Sequence, residues 1–409
     1  MGSFSNFYIN NHLCFSWGGD IKSDVLALFR DGDIELIDRK DEKYAGFKSS
    51  LNIVFDRIKI IDDGFEHMEF MFEENINNEI RSSIELFPHI DEKAKSTVEN
   101  ENSILKNNSL YNFLEILKSE IEDTPPDEEE VKKLKEFILT KETNVFDYKS
   151  YNIGTYSLLY LLGKKYPSYN WEVRYDVSEK CAYNDFKGDF YGQLEMLDFM
   201  KDHEFKLGEK IIILTEGNTD RLSIENALKI LKPHLVEYYQ FMDFDLVDGS
   251  VSSLIKIIKS FISAKIKNKV IAILDNDTAA YEAVHNIANI DIPDNFKIIH
   301  LPNLDIAFDY PTFGPNGIVN MDINGLAVGI EFFYGEEVIS DNRKYYPVQW
   351  TGFSKKMNRY QGSILNKTQI NSKFKEKVKI CLKNKERTED YDWNAMELLL
   401  ENIFDAFKS

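Results

Sequence analysis

Two short apolar runs, each ending in acid, constrain this chain more than any other feature. Ile211-Ile-Ile-Leu214 leads into Thr-Glu216-Gly217-Asn-Thr-Asp220, and Val270-Ile-Ala-Ile-Leu274 leads into Asp275-Asn-Asp277. An unbroken run of four or five aliphatic residues marks a strand covered on both faces, as in a parallel sheet. Around these runs the period becomes helical. Arg221 to Leu231 carries Leu222, Ile224, Leu228 and Leu231, and Ser252 to Lys265 carries Leu254, Ile257, Ile258 and Phe261. Ala279 to Ile287 reads as a third helix, with Val236 to Phe244 and Phe296 to Leu301 as further strands. The alternation predicts a Rossmann-like α/β region, with about four mainly parallel strands and flanking helices.

In open sheets of this kind, functional groups collect beyond the carboxyl ends of the strands. Both acidic clusters fall there. Asp275 and Asp277 are two residues apart and can converge on one ion as their strand ends, and Glu216 arrives from another strand. Magnesium takes hard oxygen ligands and usually binds through one or two carboxylates plus water. Two such ions can stabilise the attacking and leaving oxygens of a phosphoryl displacement. Gly217 would leave room for a phosphate beside Glu216. The plainer reading is helix capping, which suits Asp220 in particular; two clusters in this order favour the metal site.

The rest of the chain bounds the answer. At 409 residues it is long enough for two or three domains. The first segment, 1–120, reads as a hairpin (Phe7 to Asn10 with Leu13 to Trp17), a short amphipathic helix (Lys22 to Arg30) and a largely helical stretch over 64–120. Prolines and acids near 121–130 suggest a turn, and 131–205 is helix-like at Tyr156 to Leu162 and Leu194 to Met200. No run of about eighteen apolar residues occurs, and Met1 to Phe7 lacks a signal pattern, so a cytoplasmic protein with no membrane contact is expected. Cys14, Cys181 and Cys381 are scattered, which argues against structural zinc and a disulfide framework. The net charge of -20 counts against a simple nucleic-acid-binding module, though not against an enzyme that recruits cations or docks through a local basic patch. No G-x-x-x-x-G-K-[ST] is present, so nucleotide hydrolysis through a P-loop is excluded.

Glu216-Gly217-Asn-Thr-Asp220 followed by Asp275-Asn-Asp277 resembles the Glu-Gly and Asp-x-Asp motifs of the Toprim superfamily. The acid four residues after the glutamate is closer to the nuclease branch, which includes OLD-type nucleases. The opening Met1-Gly-Ser-Phe-Ser-Asn-Phe-Tyr-Ile, with Leu26 to Arg30 after it, resembles the HEPN/Toprim-associated N-terminal domain of bacterial anti-phage defence proteins. Leu301-Pro302, Tyr310-Pro311-Thr-Phe-Gly314-Pro315, Asn324-Gly325 to Ile330-Glu331, and Arg359-Tyr360-Gln361-Gly362 followed by Lys367 are also similar to such proteins. A HEPN nuclease motif is missing, since Arg81 and His89 stand too far apart.

The resemblance implies an associated N-terminal domain over 1–120 and a linker and helical region over 121–205. It implies a Toprim catalytic domain over 206–335 and a C-terminal helical extension over 336–409. The expected activity is Mg2+- or Mn2+-dependent endonuclease cleavage of DNA or RNA. Glu216, Asp275 and Asp277 are expected to be catalytic, and Asp220 and Glu331 to join them in holding metal, although Glu331 reads equally well as a surface acid. Gly217, Lys355, Lys356, Arg359 and Lys367, interleaved with Trp350, Phe353 and Tyr360, are the expected nucleic-acid contacts; the plain alternative is a solvated face on an amphipathic helical region. His300 reads as a satisfied core or surface histidine. The resemblance further implies a homodimer and control by an ATPase or sensor partner. A rival expectation is a non-cleaving Toprim-fold sensor or assembly subunit.

Overall fold

The computed structural model describes residues 3–19, 21–39, 41–61, 110–126, 131–132, 155–183, 189–204, 210–243, 250–314, 317–342 and 344–408, with short pieces between 81 and 99. Most of the helical expectation for 64–120, the acidic residues 127–130, His89, Phe244 and Pro315 lie outside the described residues. The chain divides into two compact units, Met1–Lys206 and Leu207–Ser409.

Unit 1 is built on a five-stranded antiparallel sheet in the order β2-β1-β5-β4-β3. β1 (Ser5–Ile9) and β2 (His12–Trp17) form the expected hairpin. Its two-residue turn, Asn10-Asn11, has positive φ at both positions (47° and 65°), the geometry that asparagine tolerates and that matches strand twist. α1 (Ser23–Leu26) covers only part of the stretch read as a helix over 22–30. β3 (Ile34–Arg39) and β4 (Glu42–Ser50) form a second hairpin, followed by α2 (Leu51–Ile61). α3 (Leu110–Ile121) and α4 (Thr155–Lys165) come next. Gly163 of α4 lies against the Phe55 ring, where a Cβ would come within 2.5 Å, so glycine lets the two helices approach.

β5 (Glu172–Asp176) then enters the sheet between β1 and β4. The segment read as linker and helices, 121–205, therefore also supplies the central strand of unit 1. Its alternating Val173 and Tyr175 face a core with Phe7, Phe29 and Phe47. α5 (Ser178–Tyr183) and α6 (Phe190–Glu204) complete the described part.

Unit 2 is mixed α/β, with a four-stranded parallel sheet in the order β10-β8-β6-β7. β6 (Ile211–Leu214) is followed by α7 (Asn218–Leu231), β7 (Tyr239–Phe241) and α8 (Val251–Ser263). The strand is shorter than the aromatic run suggested, because Pro233–Tyr238 forms a 3-10 turn first. β8 (Val270–Leu274), buried along its whole length, passes through β9 (Asn276–Asp277) to α9 (Thr278–His285), and β10 (Phe296–His300) closes the edge. Succession runs from β6 outward to β7, then back across β6 to β8 and on to β10. The strand order thus reverses between β6 and β8, which is where open sheets form a ligand crevice.

A second sheet, β12-β11-β16-β17, follows. It comprises β11 (Tyr310–Gly314), β12 (Gly317–Met321), β16 (Val348–Ser354) and β17 (Arg359–Ile364). Between them lie β13 (Ala327–Val328), which pairs with β9, and the small hairpin β14 (Ser340–Asp341) and β15 (Lys344–Tyr345). α10 (Lys367–Lys383) and α11 (Asn394–Phe404) end the unit. The segment 336–409 is therefore helical only from 367 onward, and the basic, aromatic run at 350–360 is a β-hairpin. Trp350, Phe353 and Tyr360 do not alternate at a strand period, because the register shifts between Trp350 and Gly352. Among the described residues no helix is long and apolar enough to cross a membrane.

Lys377 of α10 is buried yet fully engaged. Its ammonium donates to the carbonyls of Tyr334 (2.7 Å) and Asp392 and to Glu337 Oε1 (2.9 Å), and it lies 4.1 Å from the Trp393 ring centre. Lys377→Met would keep the packing but leave buried carbonyls without a donor. It should destabilise unit 2 by about 2–4 kcal/mol, measured by urea unfolding; an unchanged midpoint would contradict this.

Candidate functional site

Glu216 lies two residues beyond β6 and Asp275 one residue beyond β8, so adjacent strands bring them together. The Asp275 amide donates to Glu216 Oε1 at 2.9 Å. Gly217, in extended backbone, begins α7, and its amide donates to Asp220 Oδ2 at 3.0 Å. Asp220 therefore caps the helix, as the plain reading held, while facing the same acids. A Cβ on Gly217 would meet only Asp220 Oδ2, at 3.9 Å, so the space beside it is open.

Asp277 is held at both oxygens. Oδ1 accepts from the Ala280 amide (2.8 Å) and caps α9, and Oδ2 accepts from Gln361 Nε2 (2.6 Å). The pairing of β13 with β9 draws the following 3-10 turn, Ile330–Phe333, across this strand end. Glu331 is consequently buried at the site rather than on the surface. A Cβ on Gly329 would come within 2.9 Å of Glu331 Oε2 and 3.3 Å of Asp275 Oδ2, so the backbone touches both carboxylates there.

The charge balance is uneven. Burial raises the Glu216 carboxyl to about 7, with Asp277 and Asp220 adding to the effect against the Asp275 amide and Lys367. Burial and Glu331 likewise raise Asp220 to about 7. Asp275 is raised well above the carboxylate range by burial and by Glu216, Asp220, Asp277 and Glu331. Lys367 Nζ lies 2.9 Å from Glu331 Oε1. Burial pulls its pKa down, but Glu331, Asp275 and Asp220 outweigh this and hold the ammonium above the usual lysine range. Asn366, in left-handed backbone (φ 61°), turns the chain from β17 into α10 and sets Lys367 at its first position.

The structure therefore brings together Glu216, Asp220, Asp275, Asp277, Glu331 and Lys367, and separates Lys367 from the other basic residues. Lys355 and Lys356 occupy the β16–β17 turn, where the Lys356 ammonium donates to Asn286 Oδ1. Arg359 lies over Tyr281, 5.9 Å from the ring centre. Tyr281 stacks on His300 at 4.0 Å, and His300 Nδ1 is 2.8 Å from the Asp275 carbonyl oxygen, which accepts its hydrogen. His300 is thus satisfied at that nitrogen, as expected of it. Gln361 and Gly329 stand within the stretches quoted for the resemblance, but neither was expected to have a role at the site. The Tyr360-Gln361 pair also accepts from Thr278 Oγ1 (2.6 Å, at the Tyr360 carbonyl) and from the Ala279 amide (2.8 Å, at Gln361 Oε1).

The donors are hard carboxylate oxygens in excess of positive charge, which fits a divalent cation such as Mg2+ or Mn2+ in chemistry. Among the described residues no group of three or more His, Cys, Asp or Glu side chains is set closely enough to hold a metal ion. Asp277 is engaged by its cap and Gln361, and Glu331 by Lys367. Comparison with known protein families, curated proteins and solved structures finds no match.

A carboxyl whose pKa is higher in the folded than in the unfolded chain favours folding while protonated, and this contribution disappears as pH rises through the folded value. The contribution of Glu216 and Asp220 to stability in EDTA should therefore be fully present below the ordinary carboxylate range and be lost as pH rises through about 7. Glu216→Gln removes one of the repelling charges and should raise Tm at pH 8 by roughly 5 °C. A flat Tm across this range, or a lower Tm for the variant, would refute the repulsion.

Proposed function

We propose that residues 206–335 form a Toprim catalytic domain which, with Lys367, hydrolyses phosphodiester bonds of nucleic acid in the presence of Mg2+ or Mn2+. The observation that carries this reading is the convergence of five acids on the β6/β8 switch point, with the Lys367 ammonium beside Glu331, Asp275 and Asp220. Glu216 and Asp275 would hold the cation, with Asp220, Asp277 and Glu331 beside them. A bound cation would polarise the phosphate and lower the pKa of water. Gln361 and the α9 cap fix the orientation of Asp277, and Gly329 fixes the spacing of Glu331 from Asp275. Lys367 supplies positive charge for the phosphate oxygens as negative charge develops on them. Ionisable acids raised to about 7 can also take or return a proton near neutral pH.

The β16–β17 hairpin is the proposed approach for the substrate. Phe353 and Tyr360 pack edge to face at 5.1 Å and remain half exposed, with Lys355, Lys356 and Arg359 alongside. Stacking surface interleaved with cations suits a nucleic-acid strand. The same strand carries Gln361, which grips Asp277 and so links the track to the acids. Carboxylates and cations address phosphate, so DNA and RNA both belong to the class. The resemblance of the N-terminal residues to HEPN/Toprim-associated domains supports a defence effector, restrained by an ATPase or sensor partner and acting as a homodimer in the cytoplasm.

The test is incubation of the protein with plasmid, single-stranded DNA and total RNA, with Mg2+ or Mn2+ against EDTA. Metal-dependent cleavage is expected in the wild type, reduced at least about a thousandfold in Glu216→Gln and Asp275→Asn and by about 10²–10³ in Lys367→Met. Cleavage that survives Asp275→Asn, or is lacking in the wild type even with genomic-neighbour proteins added, would overturn the reading.

A further inference from the structure

β12 is an outer strand of the second sheet and pairs there with β11 alone. Its residues, Gly317-Ile-Val-Asn-Met321, carry no charge. Successive side chains of a strand point to opposite faces, yet Ile318 is 65% exposed and Val319 53% exposed. Phe313, opposite Ile318 in the register, is also exposed, as are Met321 and Phe308 of the neighbouring 3-10 turn Asp305–Asp309. Both faces and one edge of β12 are therefore uncovered. Free edges invite pairing with another chain, and proteins usually blunt them with charge, brevity or a bulge. The other outer strands of the four- and five-stranded sheets are blunted in these ways. β3 carries Glu35, Asp38 and Arg39, β10 carries Lys297, and β7 is only Tyr239–Phe241. The pairs β1–β2 and β16–β17 each contain a register shift. β12 has none of these devices, and its register with β11 is unbroken.

We infer that β12 is the seam of a symmetric dimer, pairing antiparallel with β12 of a second copy. Charge selects that occupant. Two chains of net charge -20 repel each other, so they can meet closely only where the surface is uncharged. A cationic partner would instead be drawn to the acidic surface. The backbone fixes the register. Thr312 Oγ1 donates to the Val319 carbonyl at 2.7 Å, so that carbonyl points toward β11. Alternation then turns the N–H and C=O of Ile318 and Asn320 to the free edge. A two-fold axis through Val319 sets Ile318 opposite Asn320 of the partner subunit on both sides of the axis, each pair exchanging both of its main-chain hydrogen bonds. Apolar surface at Phe308 and Phe313 lies beside the seam and extends it. The sheet would continue through both copies with the β16–β17 hairpins at its outer ends, which leaves the acids free. The inference assigns a surface to the proposed homodimer, stands on β12 alone and does not require the acids to cut.

The test is sedimentation of the whole protein in EDTA over a concentration series, with a mass of two chains expected. Added salt should tighten the dimer, because it screens the repulsion between the copies. Val319→Asp places an acid opposite itself at the axis and should weaken association by at least about a hundredfold, with an unchanged circular dichroism spectrum. Cα atoms of a non-hydrogen-bonded pair lie about 4.5 Å apart, within reach of a disulfide. Cys14, Cys181 and Cys381 are buried, so Val319→Cys supplies an exposed thiol and should link two chains under mild oxidation. Met321→Cys, on the same face but away from the axis, should not. A mass of one chain up to about 100 μM, a dimer that Val319→Asp leaves intact, or linkage through Met321→Cys and not Val319→Cys would overturn the inference.

Discussion

At the carboxyl ends of β6 and β8, burial and mutual repulsion both oppose ionisation of Glu216, Asp220 and Asp275. Two unit charges 4 Å apart interact by about 4 kcal/mol at an effective dielectric near 20, so several buried acids cannot ionise together at little cost. Shared protons, Lys367 or an added cation must offset the charge. The fold supplies the second through the ion pair with Glu331. It supplies partial relief elsewhere, through the Asp275 amide on Glu216 and the Gly217 amide on Asp220. The remaining imbalance is the physical basis for reading the cluster as a cation site, since a group of acids serving only as caps would have no reason to face one another.

The second sheet and α10 are arranged around this cluster. β13 pairs with β9, which delivers Glu331 to the acids of the first sheet. β17 delivers Gln361 to Asp277, and the turn at Asn366 then starts α10 with Lys367. Three separate stretches, near 277, 329 and 361, therefore meet at one sheet edge. Arg359, Tyr281 and His300 form a layered contact beside it, with His300 held by the Asp275 carbonyl. A shift of any one stretch would alter the spacing of the acids, because the contacts at Gly329 and Gln361 leave little slack.

Much of the parallel sheet was legible because its signals are local. Ile211–Leu214 and Val270–Leu274 are apolar without alternation, and their helices carry clear periodicity. The positions of Glu216 and Asp275 followed from strand ends alone. What was not legible depends on long-range pairing. Nothing in Glu172–Asp176 announces that it crosses to the centre of the sheet in unit 1, since only its partners β1 and β4 make it central. The run at 350–360 contains Lys355, Lys356 and Arg359 and is broken by Gly352, which obscures its period-two pattern. Glu331 looked equally like a surface acid because its burial comes from the β13–β9 pairing. Lys367 looked like one more member of a basic patch, whereas the turn at Asn366 directs it to the acids.

That reassignment of Lys367 changes how a chain of net charge -20 could meet a polyanion. At long range the summed field repels nucleic acid, and within about a Debye length local charge takes over. Under the proposed reading, Lys355, Lys356 and Arg359 on the hairpin would act in that second regime, beside aromatic surface whose contribution is largely independent of salt. Lys367 cannot contribute to approach in the same way, because Glu331 already neutralises it. Its charge becomes available to a phosphate only if Glu331 turns to another partner, which a divalent cation among the acids would provide. Under the proposed reading, cation binding and phosphate binding are therefore coupled through one ion pair, and the site would accept substrate best after it has accepted metal.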